Sequence, residues 1–94
     1  MAEFISIKGT DKGDIKLYAL STCVWCGKTK KFLNDSKVAY SYIDVDLLSE
    51  EEYEPIEREI ARFNPAGSFP TIIIDSSRCI IGYDPDRLTE LVQK

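Results

Sequence analysis

The sequence contains no histidine, and this absence excludes several kinds of chemistry. Neither a Cys–His nor a Ser–His nucleophilic pair can form, and no metal site can use an imidazole ligand. Long apolar runs are missing as well, since segments such as 72–74 fall far short of the roughly 20 residues that cross a bilayer. The beginning of the chain lacks a basic stretch followed by an apolar one. We therefore expect neither a membrane contact nor a secretory leader, and we expect a cytoplasmic protein.

The composition is that of one small globular domain. The 94 residues are 44% hydrophobic and 30% charged, which supplies one core without support from disulfides or metal. Sixteen acidic and twelve basic residues give a net charge of -4, and such a charge repels polyanions. We therefore do not expect it to bind nucleic acid. We also expect a monomer.

Hydrophobic periodicity predicts alternating strands and helices after residue 14. The predicted order is a strand at 15–20, a helix at 24–33, a strand at 38–45, a helix at 50–63, strands at 71–74 and 79–81, and a helix from 85 onward. Ser21 and Thr22 offer caps for the first helix, and Ser49 with Glu52 forms a capping-box pattern for the second. Asp84 is the expected cap of the third helix.

The order of these elements predicts an α/β fold. A strand, a helix and a strand form a parallel βαβ unit, and the two later adjacent strands form an antiparallel pair. One mixed four-stranded sheet flanked by three helices satisfies both. We expect a single domain over 1–94, in which 1–14 is a short N-terminal extension and 15–94 is the core.

The residues Cys23, Val24, Trp25 and Cys26 form a C-x-x-C motif where a strand ends and a helix begins. At a helix N-terminus, unpaired backbone N–H groups and the macrodipole stabilise negative charge, which favours a thiolate at Cys23. Cys26 lies one turn deeper, where it can break a mixed disulfide formed by the first cysteine. The motif therefore predicts a redox-active dithiol.

Other interpretations of the cysteines remain open at this point. A structural zinc site needs four ligands, and Cys79 is the only further cysteine, so carboxylates would have to complete the set. An iron–sulfur cluster shared between two chains is a second alternative, and inert buried cysteines are a third. Cys79 itself is expected to pack as a small apolar residue in a strand.

Three lysines follow the motif on the first predicted helix, namely Lys28, Lys30 and Lys31. They either place positive charge near the thiols and dock an acidic partner, or form an ordinary solvated helix face. The sequence does not distinguish these two roles.

Three segments resemble the glutaredoxins of the thioredoxin-fold superfamily. The stretch 17–28 resembles their first strand and active-site turn, and 68–71 resembles their cis-proline loop. The stretch 82–86, Gly-Tyr-Asp-Pro-Asp, is similar to a segment of NrdH-redoxins, the glutaredoxin-like hydrogen donors of ribonucleotide reductase. The resemblance extends from Ile15 to Val92.

This resemblance implies a thioredoxin fold and a role for each matching residue. Cys23 would be the nucleophile, Cys26 the resolving thiol, and Pro70 a cis-proline that turns the backbone of Phe69 toward a substrate. The substrate-binding residues implied by the motifs are Val24, Trp25, Ser68, Phe69, Pro70, Gly82 and Tyr83. No cofactor and no metal are implied.

Two departures from classical glutaredoxins concern the glutathione site. Leu20 occupies the position of their basic residue, and Tyr83, Asp84 and Pro85 replace their second glycine and paired acidic residues. Both argue against glutathione binding. In addition, Val24 stands where the family motif usually has proline, a residue suited to a first helical turn.

The resemblance implies a dithiol–disulfide oxidoreductase that carries electrons to protein disulfides, with ribonucleotide reductase as the family-level target. Its electrons would come from a flavoprotein disulfide reductase or a small thiol. A glutathione-dependent glutaredoxin and an iron–sulfur cluster delivery module are the two alternatives.

Overall fold

The computed structural model describes residues 3–93 as five strands, three α-helices and one 3₁₀ turn. The strands are β1 (Ile5–Ile7), β2 (Ile15–Ala19), β3 (Tyr40–Asp44), β4 (Thr71–Ile74) and β5 (Arg78–Ile81). The helices are α1 (Val24–Asp35), α2 (Glu50–Phe63) and α3 (Pro85–Gln93), and the 3₁₀ turn is Val45–Leu47. The predicted order of strands and helices after residue 14 is confirmed.

The five strands form one mixed sheet in the order β1-β3-β2-β4-β5. β2 and β3 are parallel, as expected of a βαβ unit, and the other neighbouring pairs are antiparallel. Leu17, in the middle of β2, pairs with Tyr42 on one side and with Ile72 on the other. β2 is therefore the central strand, and the chain leaves it directly toward the C-x-x-C motif.

The prediction of four strands was wrong, because the N-terminal extension adds a fifth. β1 pairs antiparallel with β3 and covers what would otherwise be a free edge of the sheet. The chain after β1 stays close to the domain: a Cβ on Gly9 would lie 2.5 Å from the carbonyl carbon of Val38. The Thr10 N–H then donates to the Lys37 carbonyl at 2.8 Å. The extension is thus hydrogen-bonded to the domain at β1 and again at Thr10.

Several predicted boundaries shift by one or two residues. β2 ends at Ala19 and β3 covers 40–44, both shorter than predicted, whereas α1 continues to Asp35. Lys37 adopts a left-handed backbone conformation, with φ of 57°, and turns the chain out of the helix toward β3. Residues 36–39 therefore belong neither to α1 nor to β3.

Helices cover both faces of the sheet, and each face has its own apolar cluster. On one face, Leu17 and Ile72 pack with Leu33 of α1 and Leu88 of α3. The opposite face packs against α2 and includes Tyr18, Ile43, Ile60 and Ile73. All four residues of β4 are buried, as its continuous apolar run predicts. None of the helices within residues 3–93 has the length and apolar character needed to span a bilayer.

Candidate active site

Cys23 is the N-cap of α1. Its backbone is extended, with φ of -84° and ψ of 120°, and its Sγ accepts a hydrogen bond from the Cys26 N–H at 3.1 Å. This contact satisfies one of the free donors of the first turn, and it stabilises negative charge on the sulfur. The side chain is partly exposed. Cys23 can therefore reach a substrate while the helix terminus supports its thiolate.

The expectation that Ser21 or Thr22 caps α1 was wrong. Ser21 instead binds Asp46, which accepts a hydrogen bond from its backbone N–H at 2.8 Å and a second from its hydroxyl. These bonds hold the pKa of Asp46 below its usual range, so its carboxylate is ionised near neutral pH. The loop before Cys23 is thereby tied to the 3₁₀ turn, and the cap position passes to Cys23.

Cys26 differs from Cys23 because it is fully buried. Its Sγ accepts a hydrogen bond from the Leu20 N–H at 3.5 Å. Burial, together with a hydrogen bond to Cys23, raises the pKa of Cys26 to about 12. At neutral pH Cys26 is therefore a neutral thiol beside an accessible one, and both are unbonded sulfurs in this structure.

This asymmetry predicts selective alkylation of the reduced protein. Between neutral pH and about pH 9, which is close to the pKa of an ordinary cysteine thiol, iodoacetamide is expected to modify Cys23 and to leave Cys26 untouched. Peptide mass spectrometry of the alkylated protein measures each site. The urea-unfolded chain is the control, in which both cysteines should react alike. Equal labelling of the two cysteines in the folded protein would contradict the buried, protonated state of Cys26.

Two exposed side chains lie between the cysteines. Val24 is 70% exposed and Trp25 is 54% exposed. The Trp25 ring stacks on Tyr83, with centroids 5.8 Å apart and an interplanar angle of 25°. Lys28 Nζ lies 4.6 Å from the centroid of the Trp25 ring. The stack and this cation–π contact fix the indole without burying it.

A groove of about 240 Å³ adjoins the motif and is lined by Trp25, Phe69, Pro70, Gly82 and Tyr83. The Phe69–Pro70 bond is cis, and the Gly82 N–H donates to the Pro70 carbonyl at 2.8 Å. Gly82 has a φ of 77°, and no atom outside its chain neighbours lies within 4 Å of where a Cβ would stand. The backbone of this glycine is therefore open to a ligand.

The structure places most of the predicted site residues together. Cys23, Phe69 and Tyr83 pack against the same cluster that buries Cys26. Val24 faces solvent beside this group, and Ser68 is exposed and does not line the groove. Ser68 instead serves as a hydrogen-bond acceptor within its own loop.

The side chain that organises this loop, Asn64, was not singled out from the sequence. Asn64 is buried, and the two hydrogens of its Nδ2 serve three acceptors. These are Thr71 Oγ1 at 3.0 Å and two atoms of Ser68, Oγ at 3.1 Å and the carbonyl oxygen at 3.2 Å. Thr71 Oγ1 in turn donates to the Ser68 carbonyl at 2.7 Å. The sequence shows only a polar residue at a helix end, which predicts a stop and not a bracing role. Asn64 holds the loop that presents Phe69 and Pro70.

Replacing Asn64 with alanine is therefore expected to weaken both the fold and the site. Loss of the amide deprives the buried Thr71 Oγ1 of its donor and should lower the free energy of unfolding by about 1–3 kcal/mol. Disulfide-reductase activity should fall with it, because the loop lines the groove. Denaturant unfolding and steady-state kinetics measure the two effects, with Gln93→Ala, at an exposed amide of α3, as control. An Asn64→Ala protein as stable as the parent would show that the loop does not depend on this amide.

The three lysines on α1 have different surroundings. Lys28 lies over Trp25, and Lys31 pairs with Asp35 at the surface. Lys30 turns inward, where its Nζ donates to Asp44 Oδ1 at 2.9 Å. Only Lys31 therefore fits an ordinary solvated helix face, whereas Lys28 contacts a residue of the C-x-x-C motif and Lys30 contacts a residue of β3.

Cys79 lies in β5 and does not line the groove. Its Sγ–H donates to the Phe63 carbonyl at 3.5 Å, and the side chain is partly buried. Within residues 3–93, no three side chains of the His, Cys, Asp and Glu types gather closely enough to hold a metal ion.

The chain is similar to glutaredoxins in both sequence and structure. The sequence pattern of the glutaredoxin family matches residues 15–78. The crystal structure of the glutaredoxin from Methanosarcina mazei Go1 is 41% identical with a TM-score of 0.91, covering 99% of this chain and 90% of that one. Methanoredoxin from Methanosarcina acetivorans is 45% identical with a TM-score of 0.88, covering 92% of this chain and 90% of its own. The Gene 56 protein of Mycobacterium phage D29 is 33% identical over 78 residues, which are 83% of this chain and 81% of that protein.

Proposed function

Because this chain belongs to the glutaredoxin family of thiol–disulfide oxidoreductases, we propose that it is a dithiol carrier that reduces protein disulfides through Cys23 and Cys26. The observation that carries the proposal is the asymmetry of the two thiols. Cys23 is partly exposed and accepts a hydrogen bond from a helix N-terminus, whereas Cys26 is buried one turn behind it. Two-step thiol–disulfide exchange needs one thiol of each kind.

In the first step, the Cys23 thiolate attacks one sulfur of a substrate disulfide. A bond forms between Cys23 Sγ and that sulfur, the substrate S–S bond breaks, and the other substrate sulfur leaves as a thiolate that takes up a proton. In the second step, Cys26 loses its proton and attacks Cys23 Sγ. The Cys23–Cys26 disulfide forms, the second substrate sulfur departs, and the substrate has gained two electrons.

The groove is proposed to hold the substrate polypeptide during these steps. The open backbone at Gly82 and the adjoining Phe69–Pro70 turn offer main-chain contacts to an extended segment. Trp25 and Tyr83 offer apolar contact area beside the reacting sulfur. Cys23, Cys26 and the groove residues together are the proposed site, and Val24 is proposed to touch the substrate from the rim.

Ribonucleotide reductase is the proposed target, on the strength of the 82–86 resemblance to NrdH-redoxins. A flavoprotein disulfide reductase or a small thiol is proposed to return the protein to its dithiol form. Such a cycle requires a reducing compartment, so we propose that the protein acts in the cytoplasm. We further propose that it acts as a monomer. These assignments rest on the family resemblance and on the chemistry of the site.

The test compares two oxidants on a Cys26→Ser variant, which can form a mixed disulfide but cannot resolve it. The variant is incubated with a disulfide-containing peptide or with glutathione disulfide, and the intact mass is measured. We expect a peptide adduct on Cys23 and little glutathione adduct, because Leu20 and Tyr83 replace the usual glutathione contacts.

Each contrary outcome identifies an alternative. A stoichiometric glutathione adduct on Cys23 would indicate a glutathione-dependent glutaredoxin. No adduct with either oxidant would contradict the redox proposal. A coloured, dimeric protein after anaerobic reconstitution of the unmodified chain with iron and sulfide would favour the cluster-binding alternative.

A further inference from the structure

Lys30 and Asp44 form an ion pair that is removed from bulk water. Lys30 Nζ lies 2.9 Å from Asp44 Oδ1, and the two side chains are only 23% and 15% exposed. The neighbouring pair Lys31–Asp35 has the same 2.9 Å separation, but its side chains are 76% and 66% exposed. Burying charge costs free energy, and a sheltered charge is screened less by salt and water. The charges of the Lys30–Asp44 pair are therefore screened less by solvent than those of the Lys31–Asp35 pair.

Two contacts hold the Lys30 ammonium in one place. Asp44 at the end of β3 accepts its hydrogen bond, and the Tyr42 ring lies with its centroid 4.3 Å from Nζ. Both partners are on the strand next to β2, so the lysine bridges α1 to the sheet. The Lys30 side chain therefore lies between α1 and β3 and does not extend into solvent.

Lys30 follows Cys26 by four residues on α1, so the two side chains share one helix face about 5–6 Å apart at Cβ. The side-chain charges that act on the Cys26 thiol, within the described residues, come from Lys30 and Cys23. Around this thiol, β2, β4 and α3 supply apolar side chains, among them Leu17, Ile72 and Leu88. Burial raises the pKa of Cys26, whereas the Lys30 charge lowers it. Lys30 is thus the cation that offsets part of the cost of ionising a buried sulfur.

We propose that Lys30, held in place by Asp44, stabilises the negative charge that develops on Cys26 when this thiol resolves the mixed disulfide. The proposal rests on the dithiol cycle described above and deepens it. In this role Lys30 and Asp44 are positioning residues for the second step.

The step balances without any further reagent. The proton leaves Cys26 Sγ as this sulfur forms a bond with Cys23 Sγ, and the bond between Cys23 and the substrate sulfur breaks. The departing substrate sulfur carries the electron pair away as a thiolate and takes up a proton, so the substrate ends as a thiol. Lys30 contributes only its electrostatic field and exchanges no atom. It acts while negative charge is shared by the sulfurs of Cys26, Cys23 and the substrate.

The proposal separates the two steps of the cycle. Cys23 is stabilised by the N–H of Cys26 at the helix terminus, and that contact does not involve the lysine. Removing the Lys30 charge should therefore slow resolution and leave the first attack nearly unchanged.

The test measures the two steps in separate single-turnover experiments on Lys30→Gln. Attack is followed as adduct formation in a Cys26→Ser background, and resolution as release of the peptide thiol in a chain that retains Cys26. We expect resolution to slow about threefold, because a smaller fraction of Cys26 is ionised and the greater nucleophilicity of a more basic thiolate offsets only part of that loss. The pH profile of resolution should move to higher pH. Lys30→Arg should restore most of the rate, and Lys31→Gln is the matched control on the solvent face.

The outcomes distinguish this proposal from the function on which it rests. Unchanged resolution in Lys30→Gln, an equal slowing in Lys31→Gln, or an equal slowing of both steps would overturn the role of Lys30. Asp44→Asn, which keeps the side-chain volume, should slow resolution as well, and a normal rate there would overturn the positioning role of Asp44. If no adduct forms in the Cys26→Ser background, the dithiol cycle itself is wrong.

Discussion

Cys23→Ser is expected to reduce disulfide-reductase activity to the background rate, whereas Cys26→Ser is expected to complete one attack and then stop as a mixed disulfide. The difference follows from the positions of the two sulfurs. Only Cys23 is accessible, and only its sulfur accepts a hydrogen bond from the first turn of α1. A serine hydroxyl at position 23 is not a nucleophile toward sulfur near neutral pH. Reduction of a peptide disulfide and the intact mass of each variant measure the two effects.

Cys79→Ser is the matched control for these variants, because it also removes one thiol. Cys79 does not line the groove, and its Sγ–H is bonded to the Phe63 carbonyl. This variant should keep the activity of the parent. An active Cys23→Ser protein, or an inactive Cys79→Ser protein that is still folded, would contradict the assignment of the nucleophile.

The second large effect is expected on stability, from Leu17→Ala. Leu17 is fully buried at the centre of β2, and it packs in the cluster that also buries Cys26. Removing its isobutyl group should leave a cavity and lower the free energy of unfolding by about 2–5 kcal/mol. The same strand leads into the loop before Cys23, so activity should be lost at a lower denaturant concentration. Urea unfolding followed by tryptophan fluorescence measures the change.

Ile5→Ala is the control for this prediction, since Ile5 is a β-strand residue of the same sheet that is 52% exposed. Its replacement should change the free energy of unfolding by no more than about 0.5 kcal/mol. If the two variants lost equal stability, the core would not be centred on β2.

The main features of the fold could be predicted because they depend on local patterns. Helical spacing at Tyr53, Ile56 and Ile60 and the apolar run in β4 each require one type of element. The short strand β1 could not be predicted as part of the sheet. Its three residues are mostly exposed, and they are ordered by pairing with β3, which depends on a strand more than thirty residues away.

The candidate site also combines residues that local motifs predict with residues that they do not. Cys23, Cys26, Pro70 and Gly82 belong to sequence motifs, and the structure gathers the last two into one groove with Trp25. Asn64 and the Lys30–Asp44 pair belong to no motif, because their roles are created by contacts between distant segments.

The cap of α1 illustrates a third situation, in which a local rule gives the wrong residue. Serine and threonine are preferred N-caps, and both precede Cys23. Ser21 is engaged by Asp46, and the cap is Cys23, the residue directly before the first helical residue, Val24. As the N-cap, Cys23 has its sulfur at the positive end of the helix.

The most direct test of the dithiol cycle is a redox titration of the unmodified protein in buffers of graded thiol–disulfide ratio, with acid quench, intact-mass analysis and disulfide mapping. We predict one transition in which the mass falls by two hydrogens, a disulfide that joins Cys23 to Cys26, and a free thiol at Cys79 in every sample. A protein that forms no internal disulfide over the whole range, or one whose disulfide includes Cys79, would contradict the account.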